Sequence, residues 1–364
     1  MSSSGDLISS SPRKFFGLNT WGILSLIIVG SAAIVSIFAY ALAPDATTNA
    51  NQMHLSIHSQ KPGFSVQMLL LPLQDVEQPP FLSRFLFGEN PKYKEIPITK
   101  FEQNGKELTY YPYQVDGSST LPIKVDLKKY PGLVVKNLVI DKHFILGTDT
   151  YGRDLLSRII IGTRLSFSIG LVAVLISLLI GIFMGSLAGY FGGKTDALIS
   201  WIINVTWSIP TLLLVIAITL ALGKGYWQVF IAVGLTMWVE VARVVRGQIM
   251  SVKTLPYITA AKALGFTDFR IIVKHILPNI MAPVIVIASA NFASAILIES
   301  GLSFLGIGAQ PPNASWGSMI KDHYNYIALG KPYLAIVPGL CIMILVMAFM
   351  VLGSALRDRL DVRS

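Results

Sequence analysis

The chain has 364 residues, of which 53% are hydrophobic and only 13% charged, and its mean hydropathy is +0.61. A soluble domain carries about 25% charged residues, so this composition excludes a soluble globular protein and leaves an integral membrane protein. The net charge of +9 reads as basic residues flanking apolar spans, the pattern membrane proteins show on one side of the bilayer, and not as a nucleic-acid surface.

Six segments approach the roughly 20 apolar residues that cross a bilayer: about 22–43, 165–189, 198–222, 228–245, 280–298 and 333–352. Arg13 and Lys14 precede the first, and "ALAP" at 41–44 imitates a signal-peptidase site. A signal core is only about 7–15 residues long, so residues 1–44 are expected to be a cytoplasmic N-terminus and an uncleaved first span. Residues 45–145 are polar by comparison. In "ITKFEQNGKELTYYPYQ" strands are expected near 98–101 and 107–113, with Asn104 and Gly105 supplying the positive φ angles of a hairpin turn. This predicts a small β-rich extracytoplasmic insertion over 45–145, between spans one and two, with "LQDVEQPPF" as loop.

The second span carries Gly181, Gly185 and Gly189, a small-xxx-small face that lets helix backbones approach closely in lipid. The spacing suits packing within the chain or a subunit interface equally. "GGKT" at 192–195 imitates the end of a phosphate-binding loop, but Ala188 stands where its first glycine belongs. It reads as a turn, so this chain is not expected to bind ATP. Pro210, Pro283 and Pro338 lie in or beside spans and predict kinks. The fourth span is the weakest, and Glu240 and Arg243, three apart, are expected to pair on one face. Glu299 is expected at a headgroup boundary.

Catalytic chemistry is missing from the pattern. None of the five histidines has HExxH spacing, His54 and His58 make no convincing metal pair, and the lone Cys341 excludes a disulfide within the chain. No metal site and no enzyme activity are expected.

Between spans four and five lies "TAAKALGFTDFRIIVKHILPN". Residues 258–264 predict a short helix, Gly265 the left-handed residue that ends it, and Thr267 an N-cap with Asp268 in the first turn. Phe269, Ile272, Val273 and Ile276 follow at helical spacing as one apolar stripe. Pattern alone fits either a partner-contacting element or a loop on the membrane surface. Orientation follows from Arg13, Lys14, Lys194, Arg246, Lys253, Lys262, Arg270, Lys274, Arg357, Arg359 and Arg363 on one side against Lys224, Lys321 and Lys331 on the other. Arg153, Arg158 and Arg164 oppose the trend, but the majority puts both termini in the cytoplasm.

The same stretch resembles the "EAA" loop of ABC importer permeases, E-A-A-x3-G-x9-I-x-L-P. Ala260, Ala261, Gly265, Leu277 and Pro278 fall in register; Thr259 replaces the glutamate and His275 the isoleucine. "HILPN", "LGTDTYGRDLLSRIIIGTRLSFSIGL", "YFGGKTD" and "ESGLSFLGIGAQPPNASWGSMI" are similar to the dipeptide/oligopeptide/nickel branch, in its peptide permease C-chain type. The likeness runs from about 146 to the C-terminus and includes the first span; residues 45–142 are unmatched, since the branch has a much shorter loop there.

The resemblance implies an all-α polytopic membrane protein of six transmembrane helices, with the permease domain over 146–356 and a cytoplasmic tail over 357–364. It implies a coupling segment over 250–279 with Thr259, Ala260, Ala261, Lys262, Leu264, Gly265, Asp268, His275, Leu277 and Pro278 as its coupling residues: 259–264 would form the contact with an ATPase, Gly265 would permit the turn, and 269–276 would pack the second helix against the permease's own spans. The implied partners are a second homologous permease, two cytoplasmic ATPases that hold ATP and magnesium, an extracytoplasmic solute-binding protein and membrane lipid, in a bacterial inner membrane. Two competing readings are a secondary carrier or channel, which needs coupling charges scarce in these spans, and a membrane scaffold whose working part is the insertion.

Overall fold

The computed structural model describes residues 18–73, 76–105, 107–115, 121–127, 138–223 and 225–361. Arg13, Lys14, Lys224 and Arg363, used above for orientation, lie outside these residues. Helix α1 (Thr20–Ile37) starts at Asn19, whose side chain accepts from the Gly22 amide at 2.7 Å. A one-turn helix, α2 (Ala39–Leu42), leads into the insertion.

The insertion holds one antiparallel sheet, built from β1 (Phe64–Pro72), β2 (Tyr93–Asn104), β3 (Glu107–Pro112), β4 (Ile123–Asp126) and β5 (Val139–Phe144) in the order β4-β3-β2-β1-β5. The expected hairpin is present: Asn104 pairs with Glu107, and Gly105 has φ +62. The interior strand β1, between β2 and β5, is covered on both faces because its side chains alternate. Val66 and Met68 pack with Ile57 and Phe144, while Leu69 and Leu71 pack with Ile98, Leu108 and Tyr110. The described residues of the proline-rich stretch are loop up to Pro80. Pro80 caps a short helix, α3 (Phe81–Phe87), between β1 and β2.

Helix α4 (Leu155–Phe191) is 37 residues long, about 55 Å at 1.5 Å per residue. It outruns the expected second span at its start, because Asp154 caps it well before the apolar run begins, accepting from the Ser157 amide at 2.9 Å. The third expected span is not one rod. Helices α5 (Gly193–Ser208) and α6 (Thr211–Leu222) meet at 93°. Pro210 has no amide hydrogen to give, and it drives Ile209 to extended backbone (φ −89, ψ 127).

Helix α7 (Tyr226–Val252) has the lowest hydropathy of the five long apolar helices, 1.6, and is the most enclosed of them. Neighbouring helices cover it, so it needs less apolar surface of its own. Helices α8 (Pro256–Ala263) and α9 (Asp268–Ile271) precede α10 (Met281–Phe304); α11 (Trp316–His323) and α12 (Tyr333–Asp361) complete the chain. With the bent pair counted as one, six segments among the described residues are long and apolar enough to cross a membrane.

One sequence expectation changes here. Arg243 does not pair with Glu240. Its guanidinium lies 3.6 Å from the centre of the Trp207 ring and reaches Asn204 Oδ1 at 3.4 Å, both on α5. Glu299, expected at a headgroup boundary, is fully enclosed by the chain, with Ser303 Oγ donating to it at 2.7 Å.

Candidate coupling site

The α4–α7 seam positions the site. A Cβ at Gly181 would sit 2.5 Å from Val241 Cβ, at Gly185 2.6 Å from the Ala242 carbonyl oxygen, and at Gly189 2.8 Å from that of Arg246. Of the two uses the spacing allowed, these contacts are packing within the chain. The stripe ends where α7 turns: Lys253 Nζ donates to the Gly189 carbonyl at 2.9 Å, which locks the ends of the two helices together.

From this base the 253–280 segment folds into a bracket. Pro256 takes the first helical position of α8, where its missing amide hydrogen costs nothing. Ile258 and Ala261 face inward and pack with Tyr190, Val245, Ile249, Ile271 and Ile276. The helix closes in a Schellman turn: the Gly265 amide donates to Lys262 O at 2.9 Å and the Phe266 amide to Ala261 O at 3.2 Å. Gly265 has φ +76 and nothing within 4 Å of its would-be Cβ, so the backbone alone requires glycine.

Thr267 caps α9, and Tyr190 Oη donates to Asp268 Oδ1 at 2.5 Å. The Lys262 ammonium stands 4.9 Å from the centre of the same Tyr190 ring. Phe266 lies between His275, stacked at 5.7 Å between ring centres, and the Arg270 guanidinium at 4.1 Å. Leu277 is half-buried and Pro278 opens the last turn before α10.

The expected apolar stripe is displaced. Residues Ile272–Ile276 form a π-helical turn, so burial steps by five, from Ile271 to Ile276, before returning to four at Ile280. Phe269 and Val273 therefore point outward. The bracket consequently has an inner face and a free tip. Asp268 and His275 make contacts within it, although Asp268 is itself exposed; Thr259, Ala260, Lys262, Leu264 and Gly265 lie on its outside, with Leu264 74% and Phe269 77% exposed. Sequence reasoning did not assign Tyr190 or Lys253, although Tyr190 begins the "YFGGKTD" stretch; their partners are distant in sequence. Another pair from that stretch braces α5 against α7: Arg246 reaches Asp196 at 2.5 and 2.7 Å.

A second feature lies beside the break in the bent pair. A cavity of about 300 Å³ is lined by Thr206, Trp207, Thr236, Glu240 and Ser294 among others.

Residues 180–363 match the family described as binding-protein-dependent transport system inner membrane component. The chain is 41% identical over 229 residues to the dipeptide transport system permease protein DppC of Bacillus subtilis, covering 63% of this chain and 72% of the relative. It is 40% identical over 216 residues to the glutathione transport system permease protein GsiD of Pectobacterium atrosepticum, covering 59% and 71%. It is 39% identical over 220 residues to the oligopeptide transport system permease protein OppC of Bacillus subtilis, covering 60% and 72%. The family match begins beyond the sheet. With half its length matched and an apolar helical bundle to match it, the chain belongs to the binding-protein-dependent transport system inner membrane component family: it is a non-catalytic permease subunit of an ABC transporter, in which ATP hydrolysis lies in separate subunits.

Proposed function

We propose that this permease pairs with a second homologous permease to line the path of a peptide or a related small solute. Two cytoplasmic ATPases, which bind the ATP and magnesium, drive it through the bracket over 250–279. A solute-binding protein delivers the solute on the side of the sheet. The relatives' names support the solute class.

If the bent pair crosses as one span, six crossings put both termini on the bracket's side of the bilayer and the sheet opposite. Lys194, Arg246, Lys253, Lys262, Arg270 and Lys274 cluster on that side, which supports a cytoplasmic bracket in a bacterial inner membrane. The Glu240 cavity, beside a broken helix, is a reasonable stretch of the path.

The observation that carries the reading is the bracket itself: an apolar tip, Leu264 and Phe269, left bare on a base pinned by the Tyr190–Asp268 and Lys253–Gly189 hydrogen bonds. A rigid base with an unburied apolar tip suits transmission of force from a groove in a partner. The test is Gly265→Val in the co-expressed transporter. A β-branched residue at positive φ costs about 1–2 kcal/mol of local strain. The variant should insert normally yet lose solute-stimulated ATP hydrolysis. Full transport by it, or solute movement by the purified chain alone, defeats the proposal.

A further inference from the structure

Helix α3 is anomalous. Its sequence, FLSRFLF, is apolar apart from Ser83 and Arg84, and a helix apolar nearly all round is normally buried. Yet none of its residues is fully buried: Ser83, Arg84, Phe85 and Leu86 are half-buried, and Phe81, Leu82 and Phe87 are 75%, 66% and 62% exposed. We propose that α3 is a membrane foot: it lies in the headgroup region of the leaflet on the sheet's side and seats the insertion on phospholipid.

Three observations name lipid as the occupant. The first is depth. Arg164 Nη1 donates to the Phe85 carbonyl at 3.4 Å, and after Arg164 no charged residue follows on α4; the next is Lys194 on α5. Arg164 thus marks the end of the hydrocarbon-spanning stretch, and α3 sits at its level. The second is continuity. The Phe85 ring meets the Phe38 ring edge-on at 5.6 Å, just past the end of α1. Ile34, Ile37, Phe38 and Leu42 there are themselves exposed, so the bare face of α3 extends the lipid-facing surface of α1. The third is charge. Among the described residues neither Arg84 nor Arg164 forms an ion pair. Guanidinium groups at headgroup level suit lipid phosphates.

The excursion is built to hold its place. Gln78 Nε2 donates to the Asn90 carbonyl at 3.0 Å and Asn90 Nδ2 to the Glu77 carbonyl at 2.9 Å, closing the base of the loop that carries α3. An apolar helix at the interface then adds buried area to the anchoring of the sheet.

The experiment places a nitroxide at Leu82→Cys and Phe87→Cys in a Cys341→Ala background, with Lys124→Cys on the sheet as reference. The full chain is measured in nanodiscs of phosphatidylcholine and phosphatidylglycerol, alone and co-assembled with its partner subunits. Labels on α3 should collide several-fold more often with oxygen, which concentrates in lipid, than with a water-soluble nickel chelate, in both preparations. The Lys124 label should show the reverse. If the α3 labels behave like the Lys124 label, the helix stands in water and the proposal falls. If they are shielded from both reagents once the partner subunits are present, the patch is a protein contact and the proposal also falls.

Discussion

Gly181, Gly185 and Gly189 decide how near α7 comes to α4. The would-be Cβ of Gly185 lies 2.6 Å from a backbone oxygen and 2.8 Å from Val245 Cβ, so no side-chain rotation relieves it. Gly185→Leu should cost about 1–3 kcal/mol or more through overpacking, read as a lower thermal midpoint in detergent. Gly247, on α7, meets nothing within 4 Å. Gly247→Ala should be neutral or raise the midpoint slightly, since glycine inside a helix costs roughly 1 kcal/mol; equal losses at both positions would show that backbone approach is not the cause. In the insertion, Glu95 Oε2 lies 2.6 Å from Lys142 Nζ and 3.3 Å from His54 Nε2, the latter not aligned as a hydrogen bond. Burial, the largest single influence, pushes the Glu95 carboxyl up, but the His54 and Lys142 interactions together hold it below the ordinary 4.5. A depressed carboxyl stabilises the fold above its unfolded pKa, and that contribution is lost as pH falls through the folded value. Wild type should therefore outlast Glu95→Gln in thermal unfolding at neutral pH, with the gap closing below pH 4.5. A gap that stays constant through the acid range would mean that the charge is not its source.

Among the elements, the long apolar runs were legible in the sequence because hydropathy is a sum over residues. Their directions were not. Pro210 marked the third run as kinked, yet the 93° turn depends on what α5 and α6 pack against. Composition rated α7 weak, and only the fold reveals why weakness suffices: other helices surround it. In the bracket, local chemistry was readable, since the Gly265 turn and the Thr267 cap depend on near neighbours. The stripe after it was misphased because a π turn adds one residue to the repeat, and nothing in "IIVKHI" announces one. Phe269, like Leu264, is left exposed. Both side chains are bare, so Leu264→Asp should leave the thermal midpoint unchanged. If they fill a groove in an ATPase, the same change should remove about 2 kcal/mol, some thirtyfold in affinity, and the ATPases should fail to co-purify while the second permease still does. Co-purification at wild-type yield would place the contact elsewhere.

At the scale of the whole molecule, one buried carboxylate joins the insertion to the bundle. Asp149, fully enclosed, accepts from the Tyr151 and Arg153 amides at 2.9 Å each and faces Arg153 Nε at 2.6 Å and Arg158 Nε at 3.7 Å. The two guanidinium groups reach on to the insertion's first residues, Arg153 to Asn51 Oδ1 at 3.1 Å and Arg158 to the Asn49 carbonyl at 3.2 Å. The backbones touch as well, with the Ser59 amide donating to Asp149 O at 2.7 Å. Two of the three arginines that opposed the orientation trend are thus internal fittings, neutralised in part by Asp149 and not free surface charge. A count of basic residues could not see this, because it weighs a buried arginine like a solvated one. Asp149→Ala would leave both guanidinium groups buried without their nearest counter-charge, a loss of about 3–5 kcal/mol. Asp149→Asn keeps an oxygen for the two amides and should fall between Ala and wild type. Since the carboxylate binds both parts, sheet and bundle should loosen together, seen as one earlier transition when near-ultraviolet circular dichroism and tryptophan fluorescence follow the full chain on heating. If Asp149→Ala melts with wild type, water must reach these arginines and the join must be held by the backbone contacts alone.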